Sequence, residues 1–125
     1  MRMSCENVIK LAIPAIRAAI AEQLISNYGF TQFEIARHLG ITQSAVSKYV
    51  NNRYSSNINS LKGAIEKTKA EKEIIDMIIS KKSAAAVSKK MDSIATSKLI
   101  FNEASKLGWH INDSKRKGRI SSFRN

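Results

Sequence analysis

Apolar residues return at helical intervals along most of this chain. Ile16, Ile20 and Leu24 recur every four residues, and Ala21 and Ile25 widen the stripe. That is the pattern of a helix with one face turned to a core. Pro14 is the single proline; it has no N–H and suits a first turn better than a helix interior. The spacing therefore predicts a short helix over 4–12, capped by Ser4, and a main helix from near Ile13 to a stop at Gly29. Two short helices follow, over 32–39 and 43–51, and then the polar break NNRYSS. From 58 to 79 there are two apolar stripes, Leu61, Ala64 and Ile65, then Ile74, Ile75, Ile78 and Ile79. The charged stretch KTKAEKE lies between them and allows one long helix or two short ones. The isoleucine cluster is a face for burial, against the same subunit or a second one. Residues 84–107 read as another helix, with Val87, Met91 and Ile94 on one face. Leu99 and Phe101 shift the phase, so a kink is expected within 92–97, and Gly108 is a natural stop. The fold class is all-α.

The richest pattern is 31–51, TQFEIARHLGITQSAVSKYVN. With Gln32 as position one, Ala36 is fifth, Gly40 ninth and Val46 fifteenth. A small residue at Ala36 lets two helices cross closely. Gly40 tolerates the positive φ that a tight turn needs. Val46 returns an apolar face to the first helix, and Ile35, Leu39 and Ile41 complete a small core. Thr31 and Glu34 are spaced as a capping box, and Thr42 is placed to cap the second helix. These features in register predict a helix-turn-helix.

The segment resembles the helix-turn-helix of the Cro/repressor-type (Xre-like) transcriptional regulators. The longer run 5–54 resembles a group of small archaeal members of that type. The matching pieces are CENVIKLAIPAIRAAIAEQLISNYG, then TQFEIARHLGITQSAVSKYVNNR. Tyr49 departs from the pattern, which more usually has an aliphatic there. The likeness covers under half of the 125 residues, and nothing comparable follows Tyr54. It implies DNA binding, with the second helix in the major groove and the first crossing the backbone.

Charge changes the picture further. The chain carries a formal net charge of +11 and a pI near 10.1. Alone, that suits nucleic acid, an acidic membrane surface, or a generally solvated basic exterior. Joined to the helix-turn-helix, it points to double-stranded DNA. From Trp109 onward, five Lys/Arg face one Asp within 17 residues. This is the densest positive stretch, and it reads as a basic flexible tail that Trp109 and Phe123 could anchor. One cysteine, Cys5, excludes an intrachain disulfide and a cysteine zinc cluster. Apolar runs fall short of the roughly 18 residues that span a bilayer, and the N-terminus lacks the marks of a signal peptide. The expected location is cytoplasmic, nucleoid-associated.

These readings divide the chain into a helix-turn-helix DNA-binding domain over 1–56, a helical, dimerising region over 57–108 and a basic tail over 109–125. On the helix 43–51, Gln43, Ser44, Ser47 and Lys48 are candidate base contacts, with Thr42 at the edge. Gln43 can pair with adenine N6 and N7, and Lys48 can donate to guanine O6 or N7. Gln32 opens the first helix of the pair, where a phosphate can be held. Asn51 and Arg53 follow the recognition helix toward the DNA backbone, and Lys115, Arg116, Lys117 and Arg119 supply the tail. The plainer reading of all these residues is a solvated helix face or loop. One unit reads few base pairs, so a homodimer on an inverted repeat is expected. No carboxylate pair, phosphate-binding glycine loop or metal-ligand spacing appears, so neither an enzyme nor a cofactor is expected. The alternatives are an architectural, chromatin-like DNA-binding protein with weak sequence preference, or a motif that grips another protein.

Overall fold

The first helix, α1, runs unbroken over Cys5–Tyr28 in the computed structural model, which describes residues 2–112. The expected start near Ile13 is therefore corrected: Pro14 lies inside the helix. An interior proline costs about 3 kcal/mol. The turns before it bury Cys5, Val8 and Ala12 completely or nearly so. A single buried aliphatic of valine or leucine size contributes about 1.5–3 kcal/mol, so the added burial outweighs the break. Ser4 caps this longer helix, its Oγ accepting from the Asn7 N–H at 3.1 Å. Gly29 ends it at φ 69°.

Six further helices follow among the described residues: α2 (Gln32–Leu39), α3 (Gln43–Val50), α4 (Ser56–Thr68), α5 (Glu71–Ile79), α6 (Ala84–Ala95) and α7 (Lys98–Lys106). The stretch 58–79 resolves into two helices, and the phase shift around 92–97 is a full break between α6 and α7. The class is all-α apart from one short strand pair. Strands β1 (Arg2–Ser4) and β2 (His110–Asn112) pair in parallel, with Met3 opposite Ile111. Buried Trp109 leads into β2. Residues 113–125, with Phe123 and most of the basic stretch, lie outside the described residues.

One core runs from Cys5 to Trp109. α1 touches every other helix and packs most extensively on α4. Ile74, Ile75 and Ile78 are buried in this same core, while Ile79 is exposed. The isoleucine cluster is thus used mainly within the chain. No helix of the described residues is long and apolar enough to cross a membrane.

Polar groups also sit in or against the core, among them Arg17, Lys62, Glu71 and Glu103, the last held by Lys106 at 3.1 Å. Arg17 is half-buried, and its Nε is buried without a hydrogen-bond partner among the described residues. Lys62 is buried and ties α4 to α1, its Nζ lying 2.9 Å from Glu22 and 3.4 Å from Glu66. Burial works against its charge, but the Glu22 hydrogen bond and the Glu66 charge prevail and hold its pKa above the ordinary lysine range. Glu71 is also buried, and its Oε2 has no hydrogen-bond partner among the described residues. Burial pushes its carboxyl up and the Glu66 charge adds to this, against a hydrogen bond with Gln23. A carboxyl with a raised folded pKa supports the fold below its unfolded pKa and loses that support as pH rises through the folded value. Glu71→Gln stays neutral throughout. It is expected to match the natural chain in stability at acid pH and to exceed it near neutrality. Urea denaturation at several pH values checks this; a variant less stable at neutral pH would contradict it.

Candidate nucleic-acid interface

Local chemistry shapes the α2–α3 pair before any packing does. Thr31 Oγ1 accepts from the Glu34 N–H at 3.1 Å, and Glu34 Oε1 accepts from the Thr31 N–H at 2.8 Å. The capping box is complete. These hydrogen bonds, backbone first, hold the Glu34 carboxyl below the ordinary range. At the other end of α2, Gly40 takes φ 67°. Its N–H reaches Arg37 O, and the Ile41 N–H reaches Ala36 O at 3.1 Å. This is a Schellman closure, which satisfies two otherwise open carbonyls. Two residues later Thr42 caps α3, its Oγ1 accepting from the Ala45 N–H at 3.1 Å.

The inner sides of the pair then meet. Ile35, Ala36, Leu39 and Val46 are buried, with Ile41, Tyr49 and Val50 packed partly against them. Tyr49 is accommodated half-buried at this edge. α3 packs on both α1 and α2. An eight-residue helix could not hold itself in water; contact with α1 and α2 fixes its orientation.

The opposite side of α3 is polar. Gln43, Ser44, Ser47, Lys48 and Asn51 follow one another at steps of one, three, one and three residues. At about 100° per residue this places them on one face. Gln43, Ser44 and Lys48 are exposed, and Ser47 is half-buried. Thr42 is exposed as well; its oxygen is engaged as a cap, and its hydroxyl hydrogen stays available to donate. Asn51 is more committed than its sequence position suggests. Its Nδ2 donates to Ser47 O at 2.9 Å and to Ser47 Oγ at 3.3 Å. Gln32 is half-buried at the start of α2, one residue before Phe33, which is 57% exposed.

Arg53 is placed by a second Schellman closure. Asn52 adopts φ 57°, its N–H reaches Tyr49 O, and the Arg53 N–H reaches Lys48 O at 2.8 Å. Asparagine tolerates this conformation better than most residues do. Tyr54 Oη donates to Asn52 Oδ1 at 3.0 Å, so the polar break is a structured turn. Arg53 is exposed at the end of α3. α3 itself has no acidic residue. Lys115, Arg116, Lys117 and Arg119 lie outside the described residues, so the structure does not relate them to this face. No group of His, Cys, Asp and Glu among the described residues could hold a metal ion.

Comparisons with protein-family models, curated proteins and solved structures give no match.

Gly40 supplies a direct check on the turn. A Cβ there would meet only the Ala84 Cβ at 3.7 Å, an ordinary contact. Gly40→Ala should therefore cost only the backbone penalty of a left-handed residue, about 1–2 kcal/mol. Urea unfolding reads this; an unchanged midpoint would show that the turn does not need its positive φ.

Proposed function

We propose that this chain is a sequence-specific regulator of transcription that binds double-stranded DNA through α3. The observation that carries the reading is the face of Gln43, Ser44 and Lys48. It is exposed, free of acidic groups, and presented by a helix whose other side is anchored on α1 and α2. In this reading α2–α3 is the helix-turn-helix, of the Xre-like type that its residues resemble. α3 enters the major groove, where Gln43 can read adenine and Lys48 guanine. Ser44 and Ser47 are short enough to allow close approach. Gln32, Thr42 and Arg53 lie where phosphates flank the groove. Asn51, already bonded to Ser47, acts mainly by closing the helix. Lys115, Arg116, Lys117 and Arg119 add long-range attraction.

The working unit is a homodimer on an inverted repeat, because one eight-residue helix spans only a few base pairs. With three of the four clustered isoleucines consumed inside the chain, such an interface would draw on other surfaces that remain exposed. A cytoplasmic, nucleoid-associated location follows from the same reading. The charge of +11 favours a second reading, an architectural DNA-binding protein with little sequence preference. The two differ in what α3 does.

Gln43→Ala and Lys48→Ala should each weaken binding to a preferred duplex by about 1–3 kcal/mol, roughly 5- to 150-fold, with a much smaller effect on mixed-sequence DNA. Fluorescence anisotropy on both duplex types measures this. Equal losses on both would favour the architectural reading, and full affinity in both variants would remove α3 from the interface.

A further inference from the structure

A groove of about 540 Å³ opens between α2 and the turn that joins α5 to α6. Two kinds of wall face it. One is apolar: Ile78 and Ile79 at the end of α5, and Phe30 just before α2. The Phe30 and His38 rings lie 5.6 Å apart at 47° and extend this wall with aromatic surface. The other wall is cationic: Arg37 from α2, and Lys81 and Lys82 from the turn. One carboxylate, Glu34, also lines the groove; its Oε1 accepts from the Thr31 N–H, it stays ionised, and Arg37 and His38 offset part of its charge. No ion pair joins Arg37, Lys81 or Lys82 to a carboxylate among the described residues.

The backbone places the two lysines. Lys81 stands at φ 64°, with its N–H on Ile78 O at 3.0 Å and the Lys82 N–H on Met77 O at 2.9 Å. This Schellman closure normally selects glycine at the left-handed position. Lysine is tolerated there at some conformational cost, as Lys69 is after α4, and here the turn sets both lysines along the same groove as Arg37.

We propose that this groove binds a small organic phosphate, a phosphate ester carrying an aromatic or aliphatic group. Arg37, Lys81 and Lys82 supply charge-assisted hydrogen bonds to the phosphate oxygens. Phe30 and Ile79 cover the apolar part. The volume falls within the range of small-ligand sites, which pair an apolar lining with a few convergent polar groups. A phosphate of the DNA backbone would use the cations and leave the apolar wall idle, so a free small molecule is the better occupant. The inference stands apart from what α3 binds.

Phenyl phosphate is a suitable probe for the isotope-labelled full chain, followed by amide NMR. Saturable shifts are expected around Phe30, Arg37, His38 and 78–84, with inorganic phosphate binding more weakly. Arg37→Ala and Lys82→Ala should each lower affinity roughly tenfold, the worth of one lost charge-assisted hydrogen bond. Lys81→Gly should lower it too, while leaving the thermal midpoint unchanged or higher, which separates a lost ligand contact from a damaged fold. Shifts scattered over surface lysines, or variants that bind as the natural chain does, would overturn the proposal. Equal affinity for inorganic phosphate would overturn the organic group, and displacement of phenyl phosphate by a mixed-sequence duplex, one for one, would reassign the cations to DNA.

Discussion

Everything in this structure depends on burying α1. Ten of its 24 residues are inside, and five of those are alanines, Ala12, Ala15, Ala18, Ala19 and Ala21. A helix that is apolar on most sides must be covered on most sides. Small side chains let the covering helices come close, so dispersion contacts are dense. The same demand explains Pro14: a break there would detach the turns that bury Val8. It also explains why α4 to α7 share a core with α1 to α3. The helices after the polar break cover the remaining sides of α1, and Lys62 joins one of them to it through Glu22.

Against this frame the α2–α3 pair is set largely by short-range chemistry. A capping box opens α2, a glycine in the left-handed region closes it, and Thr42 opens α3 almost at once. Asn52 closes α3 and fixes Arg53 beside it. Only the inner face of the pair uses the core. The outer face is left for polar residues that stability does not require, which is the condition under which a surface can be chosen for recognition.

What was legible in the sequence follows from the range of the forces involved. The caps at Ser4, Thr31 and Thr42 and the turns at Gly29 and Gly40 are encoded within three or four residues, and each appears where its residues predict it. Isoleucine spacing marked a buried face at 74–79 but could not say against what, nor that Ile79 at its end would be exposed. Pro14 misled, because a local rule of about 3 kcal/mol met a larger tertiary gain. The β1–β2 pair had no local signal: it joins residues 2–4 to 110–112, far apart in the chain. The half-buried Arg17 depends on neighbours from other helices. The groove shared by Arg37, Lys81 and Lys82 was equally hidden. The position of the lysines beside α2 arises from how α5 and α6 pack. For the outer face of α3 the sequence marked the residues and the structure shows Gln43, Ser44 and Lys48 exposed, while Ser47 is half-buried and Asn51 is drawn into the helix end.

The central claim is that α3 reads base sequence. Selection of bound duplexes from a random library, with the full chain at near-physiological salt, tests it most directly. The account predicts recovery of a short inverted repeat, its half-sites centred about one turn of DNA apart. Recovery of no motif, with binding that collapses as salt rises, would contradict it and leave Gln43 and Lys48 as a solvated face.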